Sequence, residues 1–177
     1  MYPLLRSIYY FNRKIKTIDS IWTPIQSEMR VWPGDIDIFL ELNNGRYLTL
    51  MDFGRFDYFR RLNWPKTPAG VKWGGAVAGV SIRYRKRMTL FKKFDLHTRL
   101  VALDDRWWYF CQTIEVGDTI YASALIRFAV LEGRRSAPVE RVETALNTTF
   151  ERKMPDWVKS WDESDSMRPW VSMRDYE

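Results

Sequence analysis

MRVWPGDIDIFLELNNGRYLTLMDFGRFDYFRRLNW, Met29 to Trp64, reads as a short strand, a tight polar turn carrying carboxylates, and then one long helix. Asn43 is the N-cap candidate, because its side-chain oxygen can accept from a backbone N–H at the start of the next turn. No proline interrupts Asn44 to Leu62, so at 1.5 Å per residue the segment would be roughly 28 Å long. Tyr47, Leu48, Leu50, Met51, Gly54, Tyr58, Phe59 and Leu62 share one wide arc, and Phe53 and Phe56 lie outside it. A helix so nearly apolar all round is wrapped by the protein. Gly54, in its middle, costs about 1 kcal/mol relative to Ala, which points to another element approaching closely there. Asp52 and Arg55, at i and i+3, are spaced to pair.

Wrapping material follows. After the Pro/Gly-rich connection KTPAGVKWGG (residues 66–75) come alternating runs rich in β-branched and aromatic residues. Val77 to Lys86 sets Val80, Ile82 and Tyr84 against Ser81, Arg83 and Arg85, the period of a half-buried strand. Phe94 to Leu103 and Trp107 to Val116 flank a hairpin candidate at Asp104-Asp105. Val116 to Thr119 is a second turn, into a strand from Ile120 to Leu131 that Glu132-Gly133 ends. With Ile25 to Trp32 as the first strand, closed by Pro33-Gly34, the sheet has about five antiparallel strands. One central helix wrapped by such a sheet is an α+β plan, the hotdog fold.

The turn also carries a resemblance. Asp35 to Tyr47, D-I-D-I-F-L-E-L-N-N-G-R-Y, resembles the D-x-D-x-x-G-H-x-N-N-x-R-Y signature of hotdog acyl-CoA thioesterases related to 4-hydroxybenzoyl-CoA thioesterase. LTLMDFGR (Leu48 to Arg55), SIRYRKRMTLF (Ser81 to Phe91) and LDDRWWYF (Leu103 to Phe110) are similar to a subgroup of small thioesterase-like proteins of unassigned substrate. The matching blocks run from about Ser27 to Leu131. The resemblance implies a hydrolase acting on an acyl-CoA or acyl-carrier-protein thioester. It also implies a homodimer, or a dimer of dimers, that sets the Asp37 turn of one subunit against its neighbour's helix. An exposed strand edge, which pairing removes, gives an independent reason for self-association.

Thioester hydrolysis requires a base or nucleophile aimed at the carbonyl carbon and donors aimed at the developing oxyanion. By the resemblance, Asp37 takes the place of the catalytic carboxylate, and the Asn44 backbone N–H that of the oxyanion donor, aided by the dipole of the helix that begins there. Where the pattern has Gly-His, this chain has Leu40-Glu41. Glu41 adds a second carboxylate, and if the two are close, one pKa should rise. The pair then reads as an acid/base couple or as a site that only binds. Asp37 also reads as a turn-capping residue without chemistry, Glu41 as a solvated loop carboxylate, and Asp35 as a turn former. Asn43 and Tyr47 are candidate substrate contacts, with Arg83, Arg85 and Arg87 for coenzyme A phosphates. A catalytically silent acyl-CoA-binding or assembly module with the same fold is the alternative.

The 177 residues, 46% hydrophobic and 16% aromatic, suit one compact domain of residues 25–134 between an N-terminal basic, aromatic arm (1–24) and a tryptophan-rich extension (135–177) packed on it. The formal charge of +6 is uneven: Arg6, Arg13, Lys14 and Lys16 precede the first acid, and Arg83 to Lys93 hold a second basic cluster. Such clusters attract any polyanion, and no nucleic-acid partner is expected. The arm has no apolar run of membrane-spanning length. It reads either as peripheral membrane contact through residues 1–16 or, the favoured reading, as a segment packed on the domain or a partner subunit. Cys111 excludes a disulfide within the chain and reads as a small buried hydrophobe in a reducing, cytoplasmic setting. His97 is the only histidine and no G-x-S-x-G elbow occurs, so a Ser-His-Asp hydrolase is disfavoured. No zinc set, dinucleotide fingerprint or Walker lysine motif is present, and neither metal nor cofactor is expected.

Overall fold

The computed structural model describes Arg6, residues 14–62, 73–172 and Arg174. Most of the arm and of the Pro/Gly-rich connection therefore lie outside the described residues. Strand β1 (Ile25–Arg30) leads through a 3-10 turn at Pro33–Asp35 into helix α1 (Asn44–Arg61). Strands β2 (Trp73–Tyr84), β3 (Lys93–Leu103), β4 (Trp108–Val116) and β5 (Thr119–Glu132) follow, then a two-residue β6 (Arg135–Ser136) and helices α2 (Val139–Leu146) and α3 (Asp156–Met167). All pairings are antiparallel, in the order β1-β3-β4-β5-β2, with β6 on β5. The long helix against one face of this sheet is the α+β hotdog arrangement expected from the sequence.

α1 lies on the inner face because its apolar arc fits there. Tyr47, Leu50, Met51, Phe53 and Tyr58 are all buried with Leu96, Phe110 and Ile114 of the sheet. Gly54 is where helix and sheet come closest: a Cβ there would stand 2.6 Å from Leu96 and 2.7 Å from the polar ends of Thr98 and Gln112. One flank of α1 is tied to β1, where the Ser27 hydroxyl donates to Asp57 at 2.6 Å and Arg61 donates to the Gln26 carbonyl. The other flank faces β4 and β5, where Phe59 packs on Phe110 and stacks on Phe128. Arg55 and Asp57 are buried on α1 while Phe56 is exposed, so the helix is less uniformly apolar-in than its sequence suggests.

The outer face of the sheet is covered in part by α3. Val158 and Trp161 pack with Ala102, Tyr109 and Leu125. Arg127 of β5 is clasped from the same helix, its Nη1 donating to Asp162 at 2.6 Å and its Nη2 to Asp165 at 2.8 Å, beside the rings of Trp107 and Trp161. Part of the tryptophan-rich extension thus docks as a helix, although Trp170 is fully exposed. Cys111 differs from expectation. It is a free thiol, only half-buried, because β4's alternation turns it to the outer face while its neighbours Phe110 and Gln112 go to the core.

The sheet ends on an open side. Among the described residues β2 pairs along one edge only, with β5, and none of its twelve residues is buried. Tyr84, Ile82, Val80 and Val77 pair with the buried Ala122, Ala124, Ile126 and Phe128, so they share the inner face. Yet they are covered only in part: Ile82 packs against the core, while Val77, Val80 and Tyr84 are 47%, 39% and 44% exposed. The inner side of β2 is a bare apolar shelf beside the helix.

Candidate active site

The approach to α1 is built on Asp35. This buried carboxylate accepts from the Trp32 N–H at 2.9 Å and from Arg6 Nη2 at 2.5 Å, while its carbonyl accepts from the Asn43 N–H. It fixes the strand exit against the helix entry, the turn-forming role its sequence suggested. Asp37 follows on a tight turn: its N–H donates to the Glu41 carbonyl at 2.9 Å and its own carbonyl accepts from the Leu40 N–H at 3.1 Å. The Asp37 carboxylate accepts from the Phe39 N–H at 2.8 Å, closing that turn upon itself. Leu40 stands at φ 60°, the left-handed region that favours glycine, and it occupies the position where the resembling pattern has Gly. At the tip, Ile38, Phe39 and Leu40 are 89%, 73% and 69% exposed.

The helix mouth gathers most of the remaining sequence-derived residues. Asn43 caps it, its Oδ1 accepting from Gly45 N–H at 2.9 Å and its carbonyl from Arg46 N–H at 2.8 Å. The Asn44 N–H is left at the mouth with no acceptor among the described residues. Glu41 approaches Arg87 at 3.3 Å. Burial, and then the charge of Glu41 and the Tyr84 ring, push the Tyr47 hydroxyl up to about 12. Tyr47 meets Tyr84 edge-on at 5.0 Å, and the Tyr84 hydroxyl donates to the Asn44 carbonyl at 3.3 Å. The shelf of β2 and the mouth of α1 therefore meet at Tyr84.

The Asp37 and Glu41 carboxylates have separate partners, Phe39 N–H for one and Arg87 for the other. Arg83 does not reach the mouth. It pairs with Ser123 and influences Cys111 on the outer face, because the two-residue period that turns Tyr84 inward turns Arg83 outward. Arg85 follows past the end of β2, its N–H bound to the Tyr121 carbonyl.

One group lay outside the sequence expectations for the site. Leu48, Asp52, Arg55 and Phe59 fall at i, i+4, i+7 and i+11, a single stripe of α1. Arg55 points it toward β4, with Nη1 donating to Gln112 Oε1 at 2.5 Å, and Phe59 points it toward β5. Gln112 is itself fixed by donating to Thr98 Oγ1 at 2.8 Å and the Met51 carbonyl at 2.9 Å. Arg55 Nη2 pairs with Asp52, whose side chain keeps 38% exposure against 5% for Arg55. Burial raises the Asp52 carboxyl above its usual range, and Arg55 opposes that shift. The i, i+3 spacing of Asp52 and Arg55 carries part of this signal, whereas the bond of Arg55 to Gln112, 57 residues away, appears only in the folded chain.

The chain is similar to known proteins in sequence and in fold. The family model described as the thioesterase-like superfamily matches residues 31–161. Protein THEM6 of Xenopus laevis is 33% identical over 96 residues, 54% of this chain and 46% of that protein, and THEM6 of Drosophila melanogaster is 39% identical over 74 residues, 41% and 38% of the two chains. The chain thus matches less than half the length of these relatives. A probable thioesterase from Bartonella henselae shares the fold at TM-score 0.60 and 19% identity, over 66% of this chain and 97% of that one. A 1,4-dihydroxy-2-naphthoyl-CoA thioesterase from Synechocystis does so at TM-score 0.57 and 11% identity, over 71% and 96%.

Proposed function

Because the chain belongs to the thioesterase-like superfamily, we propose that it hydrolyses an acyl-CoA or acyl-carrier-protein thioester in a cytoplasmic setting. The observation that carries this reading is the junction at Tyr84, where an open helix mouth adjoins an apolar shelf. A thioester needs both: an apolar surface for the acyl group, and N–H donors for the oxygen that gains charge as the carbonyl is attacked. The Asn44 N–H and the α1 dipole supply the donor. In this reading Arg87, exposed beside Glu41, and Arg85 meet the coenzyme A phosphates.

The working form in this reading is a homodimer. A twelve-residue edge strand with no buried residue is a template for further pairing, and edge-to-edge joining of two β2 strands extends the sheet across both copies. The apolar tip at Ile38 to Leu40 offers a second surface that gains from being covered.

A catalytically silent acyl-CoA-binding module is the second reading, favoured by the engagement of the Asp37 carboxylate with its own turn and of Glu41 with Arg87. Turnover separates the two. Purified protein incubated with short, long and aromatic acyl-CoAs is expected to release free thiol from at least one class. Acyl-CoA binding without thiol release supports the silent module instead.

A further inference from the structure

We propose that the end of the molecule around the approach to α1 docks on an anionic lipid surface, with the tip at Ile38 to Leu40 and the Trp32–Phe91 pair entering the headgroup layer. Lipid binding is read without a substrate, so the proposal stands apart from turnover.

Backbone contacts gather this end from three separate stretches. The Val31 N–H donates to the Lys92 carbonyl and the Phe91 N–H to the Val31 carbonyl, both at 3.0 Å. Glu41 bridges to Thr89, and the Leu42 N–H donates to the Met88 carbonyl at 2.7 Å. The connection from β2 to β3 is thus stitched to the exit of β1 on one side and to the tip on the other. Large apolar side chains stand out from this frame: the three of the tip, and Trp32 and Phe91, 52% and 51% exposed, whose rings meet edge-on at 6.4 Å. Two of these residues hold a left-handed backbone, Leu40 at φ 60° and Phe91 at φ 61°. Gly or Asn serves such a turn at less cost. A bulky apolar residue held there and left in water points to a use for its side chain.

Charge surrounds these side chains. Residues 85–93 contain Arg85, Lys86, Arg87, Lys92 and Lys93 and no acid. Lys86 and Lys92 lie over the same Tyr121 ring, at 5.8 and 5.2 Å, which gathers two ammonium groups on one spot. Of the carboxylates in the approach to α1, Asp35 is paired with Arg6, Glu41 with Arg87, and Asp37 is closed on its own turn. Arg6 also donates to the Arg30 carbonyl, so the basic N-terminal arm is anchored at this same end.

Apolar side chains ringed by lysines suit a lipid interface: acyl chains take the apolar groups, headgroup phosphates take the ammonium groups, and tryptophan sits at the boundary. A second copy seated on this end would set residues 85–93 of both chains together, and like charges oppose that contact. An RNA strand would stack on the aromatic rings but gains little from Ile38, at 89% the most exposed residue of the tip.

The test is co-sedimentation of the full chain with phosphatidylcholine vesicles, with and without phosphatidylserine. The wild type is expected to bind the mixed vesicles, less strongly as ionic strength rises. Phe39→Ser with Phe91→Ser should lower the partition coefficient by about tenfold or more, with an unchanged circular dichroism spectrum. Lys86→Gln with Lys92→Gln should lower it by about tenfold or more on mixed vesicles and leave it unchanged on phosphatidylcholine alone. Bromine on the upper acyl chain should quench tryptophan emission, and Trp32→Phe should remove part of that quenching. Absence of wild-type binding to mixed vesicles overturns the proposal. Binding that the serine pair leaves intact and the glutamine pair abolishes is purely electrostatic, as with an RNA or an acidic protein partner, and also overturns it. Loss of self-association in the serine pair, with vesicle binding kept, assigns the tip to a second copy and overturns it as well.

Discussion

Arg55 and Gln112, 57 residues apart in the chain, meet at 2.5 Å in the interior, joining the central helix to β4. Gln112 spends its amide on Thr98 and Met51 at the same time, so one side chain joins α1, β3 and β4. Gln112→Met preserves volume but removes these partners and leaves a buried guanidinium less well satisfied. A loss of about 3 kcal/mol is expected from urea denaturation, and the Asp52 pairing should loosen with it.

Gly54 lies one position from that contact. Gly54→Ala raises helix propensity by about 1 kcal/mol, yet its Cβ would press on Leu96, Thr98 and Gln112. Overpacking of this kind costs about 1–3 kcal/mol, so the net change is destabilising, opposite in sign to the same substitution on an exposed helix. Thermal denaturation reads the sign directly.

Leu40 holds a left-handed backbone with an exposed side chain. Leu40→Gly relieves a strain of about 1–2 kcal/mol and gives back about 0.5–1 kcal/mol through the freer unfolded chain. The variant should be equally stable or slightly more so by chemical denaturation. If the tip is covered in the dimer, the same substitution weakens self-association, measured by sedimentation.

Tyr47 makes stability sensitive to alkali. Its folded pKa, about 12, lies above the ordinary value of 10, so the contribution is fully present below pH 10 and is lost as pH rises toward 12. Tyr58 and Tyr109 are raised in the same direction by burial. Tyr47→Phe should therefore flatten the decline in stability between pH 10 and 12 without abolishing it, as followed by denaturant midpoints across that range.

The sequence carried the fold because its signals were local. The uninterrupted run from Asn44, the period-two alternation around Val80 and the turn at Gly117-Asp118 correspond to α1, β2 and the β4–β5 hairpin within a few residues. Gly54 even announced the close approach of the sheet. The site was harder to read because its members meet through tertiary contacts. The turn-capping reading of Asp37 agrees with the bond its carboxylate accepts from the Phe39 N–H, whereas the outward face of Arg83 follows only once β2 is registered on β5. Cys111 was placed inside by residue type, whereas strand alternation turned it out. The spacing of Asp52 shows its partner Arg55, but not the Gln112 of β4 that anchors the pair.

Thioester cleavage at the junction of α1 and β2 is the central claim, and the rate of thiol release from an acyl-CoA panel by the wild type and by Val80→Arg tests it most directly. Val80 is 39% exposed on that shelf, paired in register with Ile126 of β5. The account predicts wild-type turnover of at least one acyl class and its loss when a charge is set on the shelf. Turnover that Val80→Arg leaves intact, or no turnover by the wild type on any acyl class, contradicts it.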